Sequence, residues 1–192
     1  MKLLHVFILL ALITGTSIQG QRIEVVTENA EAAFTFVAKE VEGTIGEIKA
    51  TIVLDDTDLE NASFSGTANI GTINTSNFLR DKHLMWKKYF YKKMFPEVSF
   101  KSTAVEKLDD DMYAIMGMMT LRGRSREVRM EFTIKEKELR GFSSINIADF
   151  GVNVMKQDKD NRVDIKFTFP LEKPIGAAQE KLPEAESDEE GQ

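Results

Sequence analysis

Residues 127–134 read Glu-Val-Arg-Met-Glu-Phe-Thr-Ile, a strict alternation of polar and apolar side chains. Side chains of a β-strand point alternately to its two faces, so this stretch predicts a strand with one apolar and one wet face. The same alternation recurs in three further stretches, at 48–54, 63–70 and 163–169. Strands of this kind are typical of antiparallel sheets that cover a core on one side only.

Short polar sequences interrupt the alternating runs. They lie at 55–58, 109–111, 122–124 and 158–161. Because they are rich in Asp, Asn and Gly, which favour turns, they predict connections between strands. About eight strands at this spacing, without a regular alternation of strands and helices, predict an all-β antiparallel barrel or a sandwich. A barrel of about eight strands can be filled by side chains or can hold one small ligand, and periodicity does not decide which.

One segment, 76–95, departs from the period of two. Its large apolar side chains recur at intervals near three and four: Phe78, Leu79, Met85, Trp86, Tyr89, Phe90 and Met94. Ser76 or Asn77 can cap the start of a helix here, and Pro96 follows its end. We therefore expect a short helical segment packed across the barrel, with a strand resuming at Val98.

Residues 1–20 have the layout of a secretory signal peptide. Lys2 precedes a nearly continuous apolar stretch from Leu3 to Ile13, and small or polar residues follow. This stretch is short for a membrane span, so we expect cleavage near residue 17 or 20 and export. With no cysteine in the chain, disulfides and lipoprotein processing are excluded. The combination favours a bacterial periplasmic or secreted protein.

Most of the net charge of −6 comes from the C-terminal end of the chain. Residues 180–192 hold six acidic residues and one lysine, with Pro183 and no aromatic residue. Such a composition predicts a disordered acidic tail over 176–192. The remaining body, 21–175, is close to neutral and long enough to bury a substantial core, so we expect one domain. A near-neutral exported body gives little support for nucleic-acid binding.

Arg80, Asp81 and His83 form one compact cluster of polar side chains that could take part in ligand binding or catalysis. Positions three apart on a helix face the same side, so Arg80 and His83 can converge on one anion, and a guanidinium fork suits a phosphate. The cluster can equally brace the structure, or Asp81 and His83 can form an acid–base pair. One histidine outside 1–20 and no cysteine leave no ordinary transition-metal site. We therefore expect no metal and no cofactor.

The segment 82–93 mixes basic and aromatic residues. Its members are Lys82, Lys87, Lys88, Lys92 and Lys93 together with Trp86, Tyr89, Phe90 and Tyr91. This composition fits a solvated helical face above buried rings, and it also fits a surface that rests on an anionic membrane. The sequence alone leaves both interpretations open.

Several short motifs follow one another in order along the body. They are Phe34-Thr35-Phe36-Val37, Gly43-Thr44-Ile45-Gly46, Ile73-Asn74-Thr75 leading into Arg80-Asp81-Lys82-His83-Leu84, the spaced set Phe95-Pro96, Val98, Phe100 and Ser102, the set Gly117, Thr120-Leu121 and Gly123, and Phe150-Gly151-Val152. In this order they resemble the YceI-like family of secreted, lipocalin-shaped proteins, over about residues 23–171. The stretch 86–93 is more basic and aromatic than the usual version.

The resemblance implies an extended lipocalin-like antiparallel barrel with an apolar tunnel, and binding rather than catalysis. Members bind polyisoprenoid chains, such as isoprenoid quinones or polyprenyl phosphates, or other amphiphiles. Arg80, Asp81 and His83 are then the candidates for contact with a lipid head group. The candidate apolar lining is Phe36, Ile52, Phe64, Ile70, Phe100, Met116, Met118, Phe132 and Phe167. On this assignment, Phe132→Arg is expected to abolish lipid uptake while leaving secretion possible.

A second interpretation is a structural or interaction module with a filled barrel. It would dock a partner or a membrane surface through the segment 82–93, and its binding to liposomes would fall with salt. The exposed basic face and family precedent also leave a homodimer open.

Overall fold

The computed structural model describes residues 22–55, 58–135 and 137–171. The predicted signal peptide at 1–20 and the predicted acidic tail at 176–192 lie outside the described residues. The division into a signal peptide, a body and a tail therefore stays a prediction.

Eight strands form a closed barrel in which each strand is antiparallel to its neighbours. The strands are β1 (Arg22–Phe36), β2 (Val41–Asp55), β3 (Ser63–Asn69), β4 (Glu97–Asp109), β5 (Met112–Leu121), β6 (Arg124–Lys135), β7 (Glu138–Asn146) and β8 (Arg162–Pro170). The order around the barrel is the order along the chain, and five residue pairs from Ala32↔Phe167 to Phe36↔Val163 join β1 to β8. The predicted antiparallel barrel of about eight strands is confirmed, and the strands do not form a sandwich.

The two ends of the barrel differ in what connects the strands. Because consecutive strands are antiparallel, their connections alternate between the ends. The end that we call the upper end carries the connections at 37–40, 70–96, 122–123 and 147–161. The lower end carries those after β2, β4 and β6, which are shorter than the two long upper connections. The long connections that can shape an opening into the barrel therefore lie at the upper end.

The upper connection at 70–96 contains the α-helix α1 (Phe78–Leu84). Asn77 has extended backbone geometry, and its side chain accepts a hydrogen bond from the backbone N–H of Arg80 at 3.0 Å, which caps the helix. After α1 the chain continues in turns to Phe95. The predicted short helical segment within 76–95 is confirmed, and its regular part covers seven residues. No helix in the described part of the chain is long and apolar enough to cross a membrane.

Five single 3₁₀ turns complete the secondary structure of the described residues. They lie at Val37–Lys39, Leu59–Asn61, Ile70–Thr72, Ile147–Phe150 and Asp158–Asp160. The last of these lies in the long β7–β8 connection, where the sequence predicts a simple turn. Buried Asn161 organises that connection, since its side chain accepts from the backbone N–H groups of Val154 and Met155 and donates to the carbonyl of Gln157.

The lower half of the barrel is closed by side-chain packing. The ring of Phe132 lies 5.1 Å from that of Phe64 and is stacked on that of Tyr113 at 5.2 Å. Phe132 is 1% exposed, and Leu54 and Leu139 beside this end are fully buried. These residues lie within the last few positions of their strands at the lower end, next to the lower connections. Together they form a plug across the barrel.

Arg122 ties the upper connections to one another. Its guanidinium donates to the carbonyl of Gly151 and, at 2.8 Å, to the carbonyl of Lys87. One side chain in the β5–β6 turn therefore holds both long connections. Gly123 beside it has a φ of 71°, a conformation that favours glycine, and a Cβ there would meet the ring of Phe95.

Candidate functional site

A cavity of about 590 Å³ occupies the barrel above the plug. Ile52, Phe64 and Phe169 border it toward the lower end, and Thr75, Arg80, Leu84 and Phe90 border it at the upper end. The barrel is therefore hollow over this part of its length, which removes the structural basis of the filled-barrel interpretation. We call the upper border of the cavity the mouth. Arg80, Leu84 and Phe90 are partly exposed there.

Three phenylalanine rings lie against the cavity wall because each packs over a glycine, which has no side chain. Phe34 packs over Gly43, Phe100 over Gly117 and Phe167 over Gly141, and all three rings border the cavity. A Cβ on Gly117 would lie 2.5 Å from the tip of the Phe100 ring, closer than such atoms approach. The glycines therefore set the inner width of the barrel by giving the rings room at the wall.

Most of the predicted lining borders the cavity. The residues of the candidate list that do so are Phe36, Ile52, Phe64, Ile70, Phe100 and Phe167. They come from β1, β2, β3, the 3₁₀ turn after β3, β4 and β8, where polar and apolar residues alternate. Their role in binding a ligand stays a prediction.

Met116 and Met118 lie on the other face of β5 and do not border the cavity. Met118 is 39% exposed, whereas its neighbour Met119 is 5% exposed and borders the cavity together with Ile115. The strand is apolar on both faces, so alternation does not indicate which face is inside. Packing decides it: Gly117 faces inward and lies under the ring of Phe100. The assignment of these two methionines to the lining is corrected accordingly.

Phe132 points inward, as predicted, but it lies below the cavity rather than on its wall. It is covered by Phe64 and Tyr113 and is almost completely buried. The sequence pattern gives the direction of its side chain but not its height in the barrel. Its assignment to the lining is corrected to a place in the plug.

At the mouth, Arg80 and Asp81 are joined through Thr75. The Nε of Arg80 donates to Oγ1 of Thr75 at 2.7 Å, and its Nη2 donates to the Thr75 carbonyl at 2.6 Å. The same hydroxyl donates to Oδ1 of Asp81 at 2.5 Å, and the Thr75 N–H donates to that oxygen at 3.1 Å. Thr75 is 4% exposed, so this network is held in the wall.

The network leaves part of the Arg80 guanidinium available to a ligand. Arg80 borders the cavity, and its described bonds engage Nε and Nη2. Among the described residues, no ion pair involves Arg80. Asp81 instead fixes Thr75, which in turn orients Arg80. Arg80 is therefore the member of the predicted cluster that borders the cavity, and Asp81 braces it through Thr75. Their role in contacting a head group stays a prediction.

His83 lies apart from Arg80 and Asp81. Its ring contacts that of Trp86 edge-on, with the centroids 4.4 Å apart, and it is exposed. It does not border the cavity. Asp81 is engaged by Thr75 and His83 by Trp86, so the two side chains are turned to different partners. This arrangement does not resemble an acid–base pair facing a shared ligand.

Lys39 is a second cation at the mouth that the sequence analysis does not identify. It ends the 3₁₀ turn after β1, borders the cavity and takes part in no ion pair among the described residues. A lysine in a turn carries no sequence signal that separates it from other surface lysines. Its closeness to the mouth appears only once the barrel closes.

A closed antiparallel barrel with an apolar cavity and a polar mouth defines a binding protein of lipocalin-like architecture. The chain belongs to the YceI-like domain family, whose model matches residues 23–171. The resemblance inferred from the ordered motifs is thereby confirmed.

Curated relatives match over part of their length. UPF0312 proteins are 31% identical over 86 residues in Photorhabdus laumondii and 29% identical over 89 residues in Yersinia pestis. These matches cover 45% and 46% of this chain and 44% and 46% of the relatives. The chain thus spans just under half the length of the curated relatives that it matches.

Solved structures share the fold at low sequence identity. Burkholderia cenocepacia BcnA has a TM-score of 0.65 at 19% identity, covering 73% of this chain and 94% of that one. A Campylobacter jejuni YCEI protein has a TM-score of 0.62 at 21% identity, with 67% and 82% covered. A polyisoprenoid binding domain from Saccharophagus degradans has a TM-score of 0.50 at 10% identity, with 77% and 97% covered.

Proposed function

We propose that this protein is an exported, non-enzymatic carrier that holds a long-chain isoprenoid lipid, either an isoprenoid quinone or a polyprenyl phosphate, or a similar amphiphile. The observation that carries the proposal is the apolar cavity of about 590 Å³ above a closed plug. Ligand cavities of proteins commonly measure about 300–1,000 Å³. The name of the Saccharophagus domain, a polyisoprenoid binding domain, supports the same ligand class.

The physical basis of binding is removal of an apolar chain from water. Each methylene group that is buried contributes about 0.8 kcal/mol. A chain that enters past Leu84 and Phe90 would meet a wall of aliphatic and aromatic side chains down to Phe64. Such a wall favours retention of an apolar ligand, which supports a binding function.

Export rests on the apolar layout of residues 3–13 and on the family. We expect the protein to be made with a signal peptide and to act in the periplasm or outside the cell. The intact mass of the protein recovered from that compartment would give the cleavage site. A mass that still included residues 1–20 would contradict cleavage.

The proposal is tested by native mass spectrometry of the protein purified from its own compartment, followed by lipid extraction. We expect a bound species whose mass contains repeated isoprene units. If the protein is free of lipid and also fails to take up added quinones and polyprenyl phosphates, the carrier function is wrong. The same spectra report whether the protein is a monomer or the homodimer that the family leaves open.

A first variant tests the head-group role of Arg80. We expect Arg80→Ala to weaken binding of a polyprenyl phosphate about tenfold or more, because a hydrogen bond to a charged group contributes about 1.5–3 kcal/mol. Binding of a neutral quinone of similar chain length should change little. Titration of both ligands by intrinsic fluorescence of Trp86 or by calorimetry measures the difference.

The control for this variant is Arg140→Ala. Arg140 is exposed on the outer face of β7, beside inward-facing Gly141, and its described hydrogen bonds go to the carboxylate of Glu138. This control removes the same charge without touching the mouth, so both ligands should bind as they do to the unchanged protein. An equal loss of both ligands in Arg80→Ala would show that Arg80 acts only through the fold.

A further inference from the structure

The four most exposed large apolar side chains of the described residues lie together in the upper connection beside the mouth. Phe78 is 67% exposed, Leu79 68%, Trp86 59% and Met94 58%. Apolar residues scattered singly on a surface are ordinary, whereas a group of large ones marks an interaction site. All four fall within 17 residues of one connection. Packing in the barrel core does not explain why these exposed side chains are large and apolar.

α1 presents two different faces because it has about 3.6 residues per turn. Arg80 and Leu84, four positions apart, border the cavity. Phe78 and Lys82, also four apart, lie on the exposed side, and the Nζ of Lys82 is 4.3 Å from the centre of the Phe78 ring. None of the helix residues is fully buried. One short helix therefore faces the ligand cavity on one side and solvent with large apolar groups on the other.

Lysines surround the exposed apolar groups, and Asp81 is the one acidic residue between Phe78 and Pro96. Residues 82–96 contain five lysines and no Asp or Glu, although the whole chain has a net charge of −6. No ion pair among the described residues involves any of these lysines. We name the mouth patch by its members: Phe78, Leu79, Trp86, Met94, Lys82, Lys87, Lys88, Lys92 and Lys93.

We propose that the mouth patch docks the protein on an anionic bilayer surface, with the cavity mouth facing the lipid. Large apolar side chains enter the boundary between head groups and acyl chains, and lysines near the surface attract anionic head groups. The charge of the patch selects an anionic membrane over a neutral one. The inference rests on the proposed carrier function, because it gives an apolar ligand a path between bilayer and cavity that avoids water.

The test is co-sedimentation of the full protein with vesicles. One set contains phosphatidylcholine mixed with phosphatidylglycerol, and the other contains phosphatidylcholine alone. We expect the protein to partition onto the anionic vesicles at least about tenfold more strongly, and added salt to reduce that difference. Equal partition onto both sets, or a partition that salt leaves unchanged, would overturn the proposal.

Paired variants separate the patch from general surface effects. Phe78→Ser with Leu79→Ser is expected to lower partition onto anionic vesicles about tenfold. The matched control, Leu108→Ser with Met112→Ser, removes apolar groups that are 44% and 41% exposed near the lower end. It should partition like the unchanged protein. Equal losses in both pairs, or no loss in the first pair, would overturn docking through the mouth patch.

A charge pair tests the lysines in the same way. Lys87→Glu with Lys88→Glu is expected to abolish the preference for anionic vesicles. The control is Lys135→Glu with Lys166→Glu, which makes the same charge change at exposed positions outside the mouth patch. This control should keep the preference. A preference that survives in the first pair would contradict the role of the lysines.

Lipid uptake from detergent-dispersed ligand distinguishes the two proposals. Variants of the mouth patch should still load under these conditions, since the cavity wall is unchanged. If the unchanged protein binds anionic vesicles but loads no lipid, the docking surface stands and the carrier function is wrong. If it loads lipid but does not bind vesicles, the carrier function stands and the docking proposal is wrong.

Discussion

Replacing Gly141 by valine is expected to reduce the uptake of a long-chain lipid at least about tenfold while the barrel still folds. Gly141 is paired with Phe167 on the adjoining strand, and a Cβ at this position would overlap the far end of the Phe167 ring. The ring borders the cavity, so we expect it to move into that space. Its new position would occupy space that the ligand needs. Each methylene excluded from the cavity forfeits about 0.8 kcal/mol, so two lost methylenes account for a tenfold change.

The stability of this variant should fall only modestly. The φ angle of Gly141 is not in the left-handed region, and valine is favoured in strands. The clash involves the end of a side chain that has open space beside it, so the backbone can stay in place. Lipid uptake and the midpoint of urea unfolding, measured on the same preparation, separate a narrowed cavity from a lost fold.

Two further variants make the Gly141 result interpretable. In Gly46→Ala the new Cβ would lie 3.7 Å from Oγ1 of Thr72, an ordinary contact, so uptake should be unchanged. Adding Phe167→Ala to Gly141→Val removes the displaced ring and should restore uptake. Full uptake by Gly141→Val alone would show that the ligand does not use the space beside Phe167.

Strict alternation of polar and apolar residues made much of the barrel predictable. In β2, Ala50, Ile52 and Leu54 are buried and the residues between them are not, as period-two patterning requires. This pattern arises because one face of an antiparallel strand meets water. The departure from it at 76–95 identified α1 for the same reason: a helix buries side chains at a different spacing.

The parts of the site that sequence reasoning missed depend on contacts between distant segments. In β5, Met116 and Met119 are equally apolar, and only the ring of Phe100 over Gly117 decides which face is inside. The place of Phe132 along the barrel depends on which end is closed. Lys39 reaches the mouth because the β1–β2 turn and the connection at 70–96 meet at one end. None of these contacts between distant segments produces a pattern that can be recognised in a short stretch of sequence.

Removing the Phe132 ring is expected to cause the largest loss of stability among single substitutions of the barrel interior. Phe132→Ala should lower the free energy of unfolding by about 3–5 kcal/mol, the usual cost of emptying a buried phenylalanine site. The ring is 1% exposed and contacts Phe64 and Tyr113, so its loss leaves a void in the plug. Phe132→Arg would bury a charge there, and we expect it to prevent folding altogether rather than only lipid uptake.

The comparison that tests the plug is Phe100→Ala. Both residues are inward-facing phenylalanines, but Phe100 borders a cavity that is already open, so its removal enlarges existing space instead of creating a void. We expect a loss of about 1.5 kcal/mol, the transfer contribution of a side chain with little cavity cost. Urea unfolding followed by the fluorescence of Trp86 measures both. Equal losses would mean that Phe132 and Phe100 share one environment, and that the barrel is not divided into a packed lower half and a hollow upper half.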